Sequence, residues 1–166
     1  LIGPGGQLQS FLAVEALTGM LPLHEATPLA KKRLHPVAFR TWKRGLIAEM
    51  ARLSWELHSR SRYHRDLYLC HFYVAESLTW ALPARWDGNV FMIDFHRLSK
   101  HTVAGTWYRI KDLAQLLYSS DVDGVTDRDR LLFWRDYSAK MGFGKRLLKW
   151  AVRRKYLLYR RHNEKR

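Results

Sequence analysis

Residues 63–71 read Tyr63-His64-Arg65-Asp66-Leu67-Tyr68-Leu69-Cys70-His71, and residues 93–96 read Ile93-Asp94-Phe95-His96. The first stretch predicts a short loop that carries an exposed acid, Asp66. The second ends an apolar run, 90–93, that is typical of a strand, and it places Asp94 at the strand end. One acid can take the proton of an attacking hydroxyl while the other holds the metal bound to ATP. The pair therefore predicts phosphoryl transfer.

Length and composition predict one packed domain. The chain has 166 residues, 47% of them apolar and seven of them Trp, which is enough for a core of its own. Its formal charge of +14 attracts phosphate-rich partners, whether nucleic acid, anionic lipid or phosphorylated sugar. Cys70 is the only cysteine, so an internal disulfide is excluded and a reducing, cytoplasmic setting is expected. No apolar run is long enough to predict a membrane span, although contact with a membrane surface is compatible with the charge.

A long helix is predicted immediately before the loop with Asp66. From Val37 to His58 apolar residues recur at steps of three and four, which places them on one buried stripe. They are Phe39, Trp42, Leu46, Met50, Leu53 and Leu57. The charged residues between them are expected on a solvated face. These are Lys43, Arg44, Glu49, Arg52 and Glu56.

A hairpin is predicted to bring the two acids together. Phe72–Ala75 and Val90–Ile93 have the composition of strands, and Asp87-Gly88-Asn89 supplies turn chemistry before the second. Pairing of these strands would bring His71 near Asp94.

Two helices and a basic tail follow. Trp107–Ser119 carries a helical stripe, and Leu131–Tyr137 is predicted to be a helix with Thr126 as the N-cap. The tail, 145–166, holds ten Lys and Arg and one acid. Its spacing is typical both of a helix that binds an anionic surface and of one packed on the domain.

The N-terminal residues predict a turn over 3–6, a strand over Ser10–Val14 and a loop over Glu15–Gly19. The glycines of the turn lack the third glycine of a phosphate-binding loop. Because the chain begins at Leu1 and not at Met, a fragment is the expectation.

The order of these features resembles the C-terminal lobe of the protein-kinase-like fold. His64-Arg65-Asp66 stands at the position of the catalytic loop, and Ile93-Asp94-Phe95 stands at that of the metal-binding Asp-Phe-Gly. The fold class implied is α+β and mainly α-helical, with a small β-hairpin that carries the catalytic and metal loops.

The residues of three motifs resemble those of one family within this fold more closely. His64–Phe72, Ile93–Arg97, and Trp107 followed by Lys111-Asp112-Leu113-Ala114 resemble the lipopolysaccharide core kinases, which phosphorylate heptose or Kdo sugars. The resemblance runs from about residue 10 to about residue 137.

This resemblance implies the catalytic and cofactor roles. Asp66, with Arg65 beside it, would accept or orient the proton of the sugar hydroxyl that attacks the γ-phosphate of ATP, and Asp94 would hold Mg²⁺. Backbone groups near Glu15 and Leu17, in the hinge between lobes, would meet adenine.

It also implies supporting roles. Arg97 and Lys100, together with Arg65, are candidates to contact anionic groups of the substrate. His64 and Asp112 would be structural support, with Asp112 steadying the backbone of the catalytic loop.

The motifs depart from those of protein kinases. His71 stands where protein kinases have Asn, and imidazole suits Mg²⁺ poorly, so His71 is either a ligand near the metal and phosphates or a structural histidine. His96 replaces the Gly of Asp-Phe-Gly, and no Ala-Pro-Glu follows. Both departures favour a non-peptide acceptor.

Nothing before Ser10 supplies the glycine-rich strands or the strand Lys that lie upstream of the hinge in this fold. Lys31 and Lys32 lie downstream, in a predicted polar loop, and do not qualify. The expected division is therefore 1–19 as a remnant of the interlobe strand and hinge, 20–144 as the kinase-like lobe, and 145–166 as a basic amphipathic helix. Alone, such a chain is expected to be inactive or nearly so.

The expected function is ATP-dependent, Mg²⁺-dependent phosphorylation of a heptose or Kdo hydroxyl of the lipopolysaccharide inner core. The expected partners are ATP, a lipid A-linked sugar acceptor and an anionic membrane surface at the cytoplasmic face of the bacterial inner membrane. The alternatives are a protein Ser/Thr kinase, a small-molecule phosphotransferase of the same fold, or a non-catalytic kinase-like or anion-binding module. Nucleic acid is not expected, because no recognised motif for it is present.

Overall fold

The protein, described by a computed structural model over residues 17–163, is an α+β structure that is mainly helical, as predicted. Five α-helices form most of it: α1 (Leu23–Arg33), α2 (Pro36–Ser59), α3 (Gly105–Ser119), α4 (Asp127–Ala139) and α5 (Lys145–Asn163). None of the helices in this part of the chain is both long and apolar enough to cross a membrane. The predictions for the glycine turn, for the strand over 10–14 and for Glu15 concern residues outside the described range.

The long predicted helix is α2, and local chemistry sets both of its ends. Pro36 occupies the first turn, where its missing N–H is not needed, and the ring of His35 accepts a hydrogen bond from the N–H of Val37. Beyond the last helical residue, Ser61 adopts a left-handed φ of 54°. This bend turns the chain out of the helix and into the loop that carries Asp66.

Two details of the helical predictions are wrong. Lys31 and Lys32 lie in the last turn of α1, not in a polar loop. Cations in the last turn are stabilised by the negative end of the helix dipole. The expected solvated face of α2 is partly buried. Glu49 is buried and receives two hydrogen bonds from Arg52, and Lys43 bonds Asp129 of α4 at 2.5 Å.

In the described part of the chain, five short strands form two small antiparallel sheets: β1 (Met20–Pro22), β2 (Arg62–Tyr63), β3 (Phe72–Ala75), β4 (Phe91–Met92) and β5 (Ser99–Lys100). The first sheet has the order β1-β3-β4, with Phe72 opposite Met92, and the second pairs β2 with β5. The predicted pairing of β3 with β4 is therefore present, but Val90 and Ile93 lie outside β4. The sequence did not indicate β1 or the second sheet.

The buried apolar residues form two clusters. The first joins α1 and α2 to the first sheet and contains Trp42, which is fully buried and donates from its indole N–H to the carbonyl of Leu78 at 2.7 Å. The second joins α2 to α3, α4 and α5 around Tyr137. The loop with Asp66 follows α2, the helix shared by both clusters, so a packed core holds it on two sides.

Candidate functional site

The carboxylate of Asp112, in α3, is fully buried directly beneath the loop of Asp66. It accepts hydrogen bonds from the backbone N–H groups of His64 (2.9 Å) and Arg65 (2.8 Å). Nε2 of His58, at the end of α2, lies 3.2 Å from the same carboxylate. A buried carboxylate is tolerated where such donors surround it. Asp112 thereby fixes the backbone immediately before Asp66.

A second buried pair orients the ring of His58. The hydroxyl of Tyr137, in α4, lies 2.8 Å from Nδ1 of His58. Burial lowers the pKa of His58, although its hydrogen bond to Asp112 acts in the opposite direction, and burial raises the pKa of Tyr137. The phenol therefore stays protonated, and its O–H donates a hydrogen bond to Nδ1 of His58. The proton of the imidazole is then on Nε2, and this N–H donates a hydrogen bond to Asp112. This chain of hydrogen bonds joins α4, α2, α3 and the loop.

Arg65 has a left-handed backbone with a φ of 67°. This conformation is unfavourable for a side chain of its size, and the bond from its N–H to Asp112 holds it in place. Its guanidinium lies 5.5 Å from the centre of the Tyr108 ring. The guanidinium is thus directed to α3, while Asp66, the next residue, is presented on the open side of the loop.

The side chain of Asp66 is partly exposed, and its two oxygens differ. Oδ1 accepts a hydrogen bond from Nε2 of Gln115 at 3.3 Å and lies 3.8 Å from Nη1 of Arg97. Within residues 17–163, no hydrogen-bond donor contacts Oδ2. One oxygen is therefore positioned by the protein and the other is free to take a proton.

Asp94 lies at the start of the second loop, also with a left-handed φ of 65°. Nδ1 of His96 donates a hydrogen bond to Oδ1, and Nε2 of His71 lies 3.3 Å from Oδ2. The hydrogen bond from His96 lowers the pKa of Asp94. Asp94 is therefore ionised at neutral pH.

His71 contacts both loops. Its Nδ1 lies 2.7 Å from the backbone oxygen of Asp66, and because a carbonyl only accepts, Nδ1 must carry the proton. In the neutral ring, Nε2 then has a lone pair directed at the carboxylate of Asp94. The two repel unless a second proton or a cation lies beside both. The arrangement is thus suited to a bound cation.

His64 supports the two loops from below. It is buried, its ring stacks on that of His71 with centroids 5.5 Å apart, and its Nε2 donates to the backbone oxygen of Ile93 at 2.9 Å. Burial lowers its pKa, so it is neutral and can donate from one nitrogen only. The residue before Asp94 is thereby tied to the loop of Asp66.

Of the remaining predicted site residues in the described range, Arg97 lies beside one of the two acids, whereas Lys100 and Leu17 form no hydrogen bond or ion pair with either. Arg97 lies beside Asp66, whereas Lys100 lies in β5 opposite Arg62 and makes no hydrogen bond or ion pair with either acid in the described range. Leu17 is exposed at the start of that range, and its carbonyl accepts from the N–H of Met20 at 3.3 Å.

Gln115 and Lys111 received no role from the sequence, yet both belong to the site. They lie one turn apart on α3, on the side that faces the loop. Burial lowers the pKa of Lys111, and the charge of Arg97 lowers it further, while Asp66 opposes the change. Their spacing in the sequence could have indicated this. Lys111 is one residue before Asp112 and Gln115 is three residues after it, so Gln115 lies near both on the surface of the helix.

The donor set fits a metal held jointly with a nucleotide. Among the described residues, no group of three or more His, Cys, Asp or Glu could hold a metal by itself. Mg²⁺ at phosphate sites is bound through one or two carboxylates together with substrate phosphates and water. Asp94 supplies one such carboxylate, with Nε2 of His71 adjacent.

Comparisons with known proteins agree with the geometry. A model described as the "Lipopolysaccharide kinase (Kdo/WaaP) family" matches residues 2–137. A lipopolysaccharide core heptose(I) kinase WaaP from Pseudomonas aeruginosa is 30% identical over 157 residues, which cover 92% of this chain and 56% of that protein. The Escherichia coli K12 protein of the same name is 34% identical over 129 residues, covering 77% of this chain and 46% of that protein.

A solved structure agrees as well. It is described as "WaaP in complex with acyl carrier protein", and it is similar with a TM-score of 0.62 and 30% identity, covering 87% of this chain and 59% of that one. The chain thus spans about half the length of the curated relatives that it matches.

We predict that Asp112→Asn destabilises the chain. The amide keeps one oxygen for three donors and turns N–H groups toward the others, so the free energy of unfolding should fall by about 3 kcal/mol. Urea denaturation measures it. The control is Asp121→Asn, at an exposed carboxylate, which should change the free energy by less than about 0.5 kcal/mol. Equal effects of the two substitutions would contradict the role of Asp112.

Proposed function

The chain belongs to the lipopolysaccharide kinase (Kdo/WaaP) family, and from this premise we propose that it carries the catalytic and metal loops of an ATP-dependent sugar kinase. The acceptor is a hydroxyl of heptose or Kdo in the lipopolysaccharide inner core. The observation that carries the proposal is the joint placement of Asp66 and Asp94, which His71 contacts from both of its ring nitrogens.

Asp66 is the proposed general base. Gln115 holds Oδ1, so Oδ2 faces the attacking hydroxyl. Oδ2 would accept the proton of that hydroxyl as its oxygen bonds to the γ-phosphorus of ATP and the bond from that phosphorus to ADP breaks. Gln115 is a positioning residue, because it acts through Asp66. The guanidinium of Arg97 lies 3.8 Å from Oδ1, on the same oxygen that Gln115 contacts.

Asp94 and His71 are the proposed contacts of the metal side. When bound, Mg²⁺ neutralises the charge that develops on the transferred phosphate. Asp94 offers an ionised carboxylate for it, while His71 keeps the loop of Asp94 close to that of Asp66. Nδ1 and Nε2 of the same ring contact the two loops, so His71 sets the distance between them.

The cations around Asp66 are the proposed contacts of substrate anions. Arg97 lies close enough to Lys111 for its charge to lower the pKa of Lys111, and a pair of cations beside the base favours a phosphate group there. Lys100 and Arg65 remain predicted contacts of anionic groups of the substrate. The backbone near Glu15 and Leu17 remains the predicted contact of adenine.

The division of the chain is proposed as follows. Residues 1–19 contain the interlobe strand and hinge, 20–144 are the kinase-like lobe, and 145–166 are the basic amphipathic helix. We place the reaction at the inner face of the bacterial inner membrane, where a lipid-linked core sugar would be reached.

An acyl group on a carrier protein is a second proposed partner. A cavity of about 450 Å³ lies between α2, α3, α4 and α5. Most of its lining is apolar, including Leu46, Met50, Leu113, Leu116 and Trp134, with Lys149 and Arg153 also at its wall. Because the similar solved structure is a complex with an acyl carrier protein, we propose that this cavity takes an acyl chain.

We predict that Asp66→Asn, in the complete gene product, abolishes phosphate transfer from labelled ATP to a core oligosaccharide. Loss of a general base should lower kcat about 10²- to 10⁴-fold, with ATP binding and thermal stability unchanged. The control is Asp121→Asn, which should keep full activity. Turnover near the wild-type rate in Asp66→Asn would contradict its role as base.

We also predict that affinity for an acyl carrier protein depends on the acyl chain. Each methylene buried in the cavity should tighten binding by about fourfold until the cavity is full. Calorimetry with carriers loaded with chains of increasing length, and with the unloaded carrier as control, measures the effect. Equal affinity for loaded and unloaded carrier would contradict the proposal.

A further inference from the structure

Helix α5 has one packed face and one face without a partner in the described chain. Leu148 and Val152 are buried against the cluster around Tyr137, and Tyr156 and Tyr159 pack at its margin. The opposite face carries Leu147, Trp150 and Leu158, with 70%, 56% and 57% of their surface exposed. Their spacing of three and eight residues places them on one side of the helix.

Cations surround these apolar side chains. Lys145–Asn163 contains eight Lys and Arg and no acid, and the guanidinium of Arg154 lies 5.1 Å from the centre of the Trp150 ring. Arg146 and Arg161 are exposed at the two ends of this face. Phe143, two residues before the first residue of α5, is also fully exposed. We define Phe143, Leu147, Trp150, Arg154 and Leu158 as the outward face.

We propose that the outward face of α5 docks on an anionic lipid bilayer. Charge complementarity selects this occupant, because a helix with cations on its flanks and Trp, Leu and Phe between them can bind headgroup phosphates while its apolar residues enter the boundary of the acyl chains. The matched family model ends at residue 137, before this surface begins.

The docking surface is rigidly connected to the candidate site. The packed face of α5 lies against α3, and Lys155 of α5 lies 4.8 Å from the centre of the Trp107 ring of α3. The same α3 carries Asp112, Gln115 and Lys111. A bilayer under α5 would thus fix the height of Asp66 above the membrane. This consequence, but not the docking itself, rests on the proposed function with its lipid-linked acceptor.

The test measures sedimentation of the 166-residue chain with vesicles of phosphatidylethanolamine, prepared with or without phosphatidylglycerol. Wild type should sediment with the anionic vesicles only, and added salt should release it. The variant Leu147→Ser, Trp150→Ser, Leu158→Ser should bind at least about tenfold more weakly. The matched control is Val37→Ser, Trp80→Ser, Leu82→Ser, at positions that are 55%, 54% and 42% exposed away from α5, and it should bind as wild type does.

A second variant, Arg146→Gln, Arg154→Gln, Arg161→Gln, should weaken binding to anionic vesicles on the order of a hundredfold. Both α5 variants should keep the wild-type unfolding transition, since the altered side chains are exposed. Wild-type vesicle binding by either variant would overturn the proposal. So would a loss of carrier-protein binding with vesicle binding intact, because the face would then be a protein interface.

Phosphate transfer to a lipid-free core oligosaccharide, measured on the complete gene product, separates this proposal from the proposed function. If the transfer fails in wild type while vesicle binding follows the expected pattern, the function is wrong and the docking stands. If transfer is normal and the outward-face variants bind vesicles normally, the docking alone is wrong.

Discussion

The buried carboxylate of Asp112 joins the loop of Asp66 to the helical core. Its three donors come from the ring of His58 and from the backbone of His64 and Arg65. Without it, the left-handed backbone of Arg65 has no compensating bond, and the ring of His58 loses the acceptor that fixes its tautomer. Desolvation of a carboxylate is costly, and here the donors that offset this cost are the groups that must be held still. The stability of the core and the geometry of the site therefore depend on one side chain.

Asp66 and Asp94 are brought together by histidines more than by the sheets. The strand pairing of β3 with β4 is only two residues long in register. His64 and His71 stack, His64 bonds to the backbone of Ile93, and His71 contacts both the backbone of Asp66 and the carboxylate of Asp94. Because Nδ1 of His71 donates to the backbone oxygen of Asp66, the other ring nitrogen, Nε2, is left facing Asp94. The chemistry of the metal side thus follows from a tautomer that the Asp66 loop imposes. One side of helix α3 contacts these loops, and its other side packs against α5.

The sequence predicted what depends on local pattern. The apolar steps of α2, the Thr126 cap and the two acid-bearing motifs each report on nearby residues, and the family and the mainly helical fold followed from them. It could not predict contacts made across the chain. Lys43 and Glu49 look solvated by helical periodicity, yet Lys43 is drawn inward by Asp129, 86 residues away. Strand β1 is three residues long and is defined only by its pairing with β3. Gln115 acquires its role only once α3 packs under the loop.

The central claim is that Asp66 and Asp94 act as one phosphoryl-transfer site, with Asp94 on the metal. The most direct measurement is the Mg²⁺ concentration that gives half-maximal phosphate transfer in the complete gene product with Asp94→Asn. Removal of the ionised ligand should raise that concentration about tenfold or more, and saturating metal should restore part of the rate. An unchanged Mg²⁺ requirement at a comparable rate would contradict the account.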